Sequence, residues 1–130
     1  MNNDIPQLLH ALFCQKFEPD SSNHRPNYIA VISYIPWSAT SHTGFPLIYI
    51  CVVRNLNEGN HKAWVVVTSP SGKIVQSTKS KELVLEKTQY IHTIPINLEF
   101  KPAEPGDFTF KLLIDGIPLA STVLPIVSSM

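Results

Sequence analysis

Five histidines, two cysteines and ten carboxylates are the side chains of this 130-residue chain with the most obvious capacity for chemistry. Their spacing does not support it. His10, His24, His42, His61 and His92 form no His-x-His or His-x-x-x-His pair, so a metal site would have to gather its ligands from distant segments. Serines are common, yet no Gly-x-Ser-x-Gly turn presents one as a nucleophile. Cys14 and Cys51 stand in apolar runs, Ala11-Leu12-Phe13-Cys14 and Tyr49-Ile50-Cys51-Val52, where a thiol is hidden and its pKa rises. They read as reduced, buried, small hydrophobic side chains, with a disulfide between neighbouring strands as the alternative. Glu82 and Glu86 share a face in either a strand or a helix, but Lys79, Lys81 and Lys87 interleave with them, which describes a solvated mixed-charge face. The five glycines are isolated turn residues and build no phosphate loop. The expectation is a protein without catalytic residues, metal or cofactor.

Recognition has one lead. Trp37 and Phe45, with Tyr34 nearby, gather around the 36–46 loop, which also carries His42. Loops at the end of a β-sandwich commonly bind, and tryptophan is a frequent interface anchor. Trp37, His42 and Phe45 are therefore the candidate recognition residues, and a small-ligand or carbohydrate-binding module using the 36–46 loop is the alternative to a protein-binding or self-associating one. The competing expectation is that Trp37 and Phe45 fold back as plugs over the core. Trp64 lies among valines and is expected inside. His92 shares parity with Ile94 and Ile96 and is expected at the end of the core face.

The elements that must position these residues are strands. Segments 7–17 and 28–35 are expected to form a long-tipped hairpin around the turn-rich stretch 18–27, although Leu and Ala leave helix in competition over 7–17. Leu47–Asn55 is apolar on both parities, as in a strand covered on both faces. His61–Ser69 and Lys73–Ser77 flank the tight turn Ser69-Pro70-Ser71-Gly72. Residues 79–87 suit either a strand or one helical turn. Ile94, Ile96, Leu98 and Phe100 alternate on one face, and Pro95 among them marks an edge strand or bulge. The clearest signal comes last. Pro105-Gly106 suits a type II turn and Asp115-Gly116 a primed hairpin turn. Between them Phe108, Phe110, Leu112 and Ile114 share one parity, with Asp107, Thr109 and Lys111 on the other. Pro118 and Pro125 mark the final strand as edge-like.

Seven or eight strands at regular spacing, with no helix of ten residues, predict an all-β fold: an immunoglobulin-like antiparallel β-sandwich, with a small barrel as the alternative. A parallel α/β sheet lacks its crossover helices. One domain spans 1–130, with an ordered core over about 7–127.

The layout resembles a family of small bacterial β-sandwich proteins of uncharacterised function. The likeness rests on Ala11-Leu12-Phe13-Cys14 near the start, Phe45-Pro46 leading into an apolar strand, and the stretch Glu104-Pro105-Gly106 through Asp115-Gly116 at the end. It departs at Gln15, where that family commonly has an acid. The resemblance implies the sandwich fold and no activity.

Composition narrows the partners. Ten basic and ten acidic side chains cancel, which disfavours a protein that tracks phosphates, so no nucleic acid is expected. The longest apolar stretch, near Phe45–Val53, is too short to span a bilayer, and the first residues lack a signal peptide's regions. A cytoplasmic protein with a protein partner, or a homo-oligomer, is the expectation. Neutral net charge itself favours self-association.

Overall fold

The computed structural model describes residues 5–19, 26–39 and 44–128. Ten strands form: β1 (Gln7–Pro19), β2 (Pro26–Ile32), β3 (Ile35–Pro36), β4 (Phe45–Leu56), β5 (Gly59–Thr68), β6 (Ile74–Ser77), β7 (Lys81–Leu85), β8 (Gln89–Phe100), β9 (Gly106–Ile114) and β10 (Ile117–Val127). A single 3₁₀ turn, Trp37–Ala39, follows β3, and no α-helix occurs among the described residues. The count exceeds the expected seven or eight because the expected 28–35 strand divides into β2 and the two-residue β3, and because the ambiguous 79–87 segment yields β7. The expected short strand Lys73–Ser77 is β6.

Two sheets face one another. The first runs β2-β1-β4-β8; the second runs β3-β10-β9-β5-β6, with β7 also on β5. Every pairing is antiparallel except β3 on β10, where Ile35 lies beside Ile126. The chain changes sheet between β2 and β3, β3 and β4, β4 and β5, β7 and β8, and β8 and β9. β1, β4 and β8 thus oppose β5, β9 and β10, which is the immunoglobulin-like arrangement with an added hairpin strand, β2, at one edge.

The alternating residues of β9 supply the centre of the core. Phe108, Phe110, Leu112 and Ile114 are buried, while Asp107 and Lys111 are exposed. At the hairpin tip Asp115 and Gly116 take φ of 53° and 85°, the pair of positive angles that a type I′ turn requires. Facing β9, Tyr49, Cys51 and Val53 of β4 reach the same core. Their neighbours Ile50 and Val52 are buried on the opposite face, so β4 is indeed covered on both sides. Ile50 sits between Leu12 of β1 and Pro95 of β8 in the register. Aromatic rings stitch the layers: Phe13 stacks on Tyr49 at 5.0 Å and meets Phe110 edge-on at 4.8 Å, and Phe100 meets Phe108 edge-on at 5.1 Å. The Tyr49 hydroxyl crosses between the sheets to Thr122 Oγ1 of β10 at 2.7 Å.

Pro95 does lie on an edge strand, β8. Its missing N–H costs the ladder nothing, because the Pro95 carbonyl points outward to Lys81 Nζ (2.8 Å), away from β4. Gly106 is required twice over. Its φ is 126°, and a Cβ there would stand 2.6 Å from Pro70 Cγ, so β9 begins directly against the β5–β6 turn. Residues 79–87 resolve as strand: β7 pairs with the start of β5, from Gly59 with Leu85 to Ala63 with Lys81.

Candidate functional site

Trp37 sits in the 3₁₀ turn and Phe45 opens β4; both are half-buried and pack against the core. Tyr34, just before them, is exposed. His42 and His24 lie outside the described residues. The expected aromatic gathering therefore rests on the sandwich through two of its members.

Trp64 departs from expectation. It does not enter the core: Ala63, Val65 and Val67 are fully buried, and alternation turns Trp64 and Val66 to the outer face of the second sheet, where they are half-buried. The unbroken run Val65-Val66-Val67 conceals that parity in the sequence. On the same face, Leu113 of β9 is paired with Trp64, and Pro118 of β10 with Leu113. Val66 lies beside Lys111, and Thr109 beside Val123, which is half-exposed. Lys62 and Glu82, of opposite charge, are register partners across β5 and β7 on this face. The result is a sheet face with a half-buried indole at its centre, apolar residues along three strands and charges around them.

At one end of this sheet His61 is held from both sides. Its Nδ1 lies 2.7 Å from Asp115 Oδ2 and its Nε2 lies 2.6 Å from the Asn57 carbonyl. A carboxylate and a carbonyl can only accept, so both ring nitrogens donate and the ring is the imidazolium. Burial pulls the His61 pKa down, but the hydrogen bonds to Asp115 and Asn57 and the charge of Asp115 outweigh it and hold it above its ordinary value. For Asp115 burial acts upward, and the His61 and Lys62 hydrogen bonds and charges bring it below the usual carboxylate value. Asp115 Oδ1 also accepts from the Lys62 N–H at 2.9 Å, while the Asp115 N–H donates to the Lys62 carbonyl at 2.8 Å. The clamp joins the β4–β5 turn to the β9–β10 turn. With both nitrogens engaged, the imidazole is not available as a general base. Sequence reasoning missed it because the partners are 54 residues apart and Asp115 already has a local reason to be aspartate.

Cys14 and Cys51 are both free and fully buried. Burial raises the Cys14 thiol and pushes the Cys51 thiol up to about 12, so neither is an activated nucleophile. His92 is half-buried, opposite core residue Val53, and burial followed by the charge of Lys81 lowers its pKa. Among the described residues, no group of three or more His, Cys, Asp and Glu side chains could hold a metal ion, and no helix is long and apolar enough to cross a membrane.

No family model matches the chain, and no curated protein does. Among solved structures, the chain is similar to an immunoglobulin-like protein from Pseudomonas aeruginosa, at 14% identity and a TM-score of 0.46, over 95% of this chain and 97% of that one.

Proposed function

We propose that this chain is a non-enzymatic binding module that associates through the outer face of its second sheet, with a second copy of itself as the partner. The observation that carries this reading is the outward-facing, half-buried Trp64 beside Leu113, Val66 and Pro118. A side chain carried on a sheet strand loses little backbone freedom on contact, and tryptophan is enriched where interfaces concentrate their binding energy. Two further features favour the face over the edges. Pro95 blunts the edge strand β8, and β10, expected as an edge, is instead covered at Ile126 and Val127 by β3, with Pro118 and Pro125 on the stretch β3 does not pair. A formal net charge of zero gives two copies no long-range repulsion to overcome. A two-fold pairing of the face would set each copy's Trp64 region against the other's, flanked by the Lys62–Glu82 pairs.

Light scattering after size exclusion, across micromolar to near-millimolar protein, tests this. The expected mass rises from 14.5 kDa toward twice that value. Trp64→Lys, a change on the outer face and outside the core cluster, restores the monomer while leaving thermal unfolding cooperative. A wild-type chain that stays at 14.5 kDa throughout overturns the proposal.

A further inference from the structure

Along one flank the segment from β6 to β7 faces the outer edge of β8, and side chains cross the gap. Lys81 Nζ donates to the Pro95 carbonyl at 2.8 Å. At the other end Gln76 Nε2 donates to the Glu99 carbonyl at 2.9 Å, and the Lys101 N–H donates to Gln76 Oε1 at 3.0 Å. A cleft of ≈ 430 Å³ opens along this flank, within the range of small-ligand sites.

Its walls carry donors. The register between β4 and β8 is unbroken, and the carbonyls of residues 95 and 99 both point out of the ladder. Strand alternation therefore aims the Asn97 N–H out of the ladder as well, toward the cleft it lines. Thr78 Oγ1 accepts from the Val65 N–H at 2.9 Å, which leaves its own proton to donate. Lys79 and Lys81 add two ammonium groups, and no carboxylate lines the cleft. Leu98 and Pro95, both half-buried, supply an apolar surface beside these donors, with the core residue Ile96 behind them.

We propose that this cleft binds a small organic carboxylate, whose anion meets Lys81, Thr78 and the Asn97 N–H while its apolar body lies on Leu98 and Pro95. Excess positive charge selects the anion, and the apolar wall distinguishes an organic acid from an inorganic one. The cleft adjoins β5 through Thr78 and Lys81, but its lining shares no residue with the Trp64 face, so either assignment can fail without the other.

The test is an NMR titration of the full chain with benzoate, set against benzamide, which has the shape without the charge, and inorganic phosphate, which has charge without the apolar body. Benzoate is expected to shift the Thr78 and Asn97 amides saturably, with Kd on the order of 1 mM for so small a ligand. The His92 titration moves upward in the bound state, because the anion offsets the Lys81 charge. Lys81→Met should weaken binding about tenfold, and Lys81→Arg by no more than about threefold, which separates charge from a folding defect. Unchanged β9 and β10 amide positions establish that each variant is folded; if Lys81→Met is not, Lys79→Met must show the weakening. Equal response to benzamide, equal binding of phosphate, or shifts confined to residues away from the cleft overturns the proposal.

Discussion

The Tyr49 hydroxyl is one of the few polar groups that link the two sheets through the core, and its contribution can be isolated. Tyr49 is fully buried, and its ring stacks on Phe13 at 5.0 Å and tilts against Phe110 at 5.5 Å. Tyr49→Phe keeps those contacts and deletes one oxygen. That oxygen makes one strong bond, 2.7 Å to Thr122 Oγ1, and one marginal approach, 3.5 Å to the Phe110 carbonyl. A net hydrogen bond contributes about 1 kcal/mol. Thr122 is half-buried, so its orphaned hydroxyl can turn toward water and escapes the full desolvation cost. The expected loss is therefore about 1 kcal/mol, toward the low end for a buried bond. With an unfolding entropy of roughly 0.27 kcal/mol/K for a chain of this length, that lowers Tm by about 4 °C. Urea and thermal unfolding of wild type, Tyr49→Phe, Thr122→Val and the double variant form a cycle whose coupling should be about 1 kcal/mol. The urea m-value should stay constant, since the surface exposed on unfolding hardly changes. A coupling below about 0.3 kcal/mol would refute the account of Tyr49 as a bond between sheets.

Two other outcomes follow from the same kind of reasoning. Gly106→Ala imposes a side chain at φ 126° and 2.6 Å from Pro70 Cγ, and should lower unfolding free energy by about 2 kcal/mol or more in urea melts. Pro70→Ala should recover only part of that loss, because the backbone strain stays; full recovery would show the clash alone to matter. The His61–Asp115 clamp predicts a pH window. The folded His61 pKa is raised, so its contribution is complete below 6.5 and fades as pH climbs through the folded value. The folded Asp115 pKa is lowered, so its contribution is complete above 3.8 and fades as pH falls through the folded value. Asp115→Asn keeps a residue suited to the turn. The stability difference between wild type and this variant should be greatest near pH 5 and shrink toward pH 8. Urea unfolding from pH 3 to 9 reads it, and a difference that grows from pH 6 to 8 contradicts the imidazolium assignment.

Much of the fold was legible because local chemistry and global packing agree. The β9–β10 hairpin is the clearest example: proline-glycine and aspartate-glycine fix its ends, and strict alternation fixes which side faces in. Pro95 was legible as an edge residue for the simple reason that a missing donor has few places to hide. Residues 79–87 were ambiguous since their strand depends on Gly59–Ala63 of β5, a tertiary partner that no local pattern announces. Trp64 was misplaced because three consecutive valines carry no parity; only the pairing with β9 shows which of them face out. The candidate surfaces were the least legible part. The Trp64 face, the His61 clamp and the β8 cleft all combine residues from strands far apart in sequence, and each member has an innocuous local explanation.

The two-residue parallel contact of Ile35 and Pro36 with Ile126 and Val127 has a consequence for synthesis. Every strand of the first sheet lies within the first hundred residues, whereas β9 and β10 emerge last. During translation the apolar side of β4, with Tyr49, Cys51 and Val53, thus meets only β5 and β7 of the opposite layer until Gly106 and the residues after it leave the ribosome. β3 cannot dock on its partner until β10 is complete. The segment Gly106–Val127 therefore acts as the closing half of a clasp, and a chain stalled before it presents a half-covered core to chaperones or to other nascent chains.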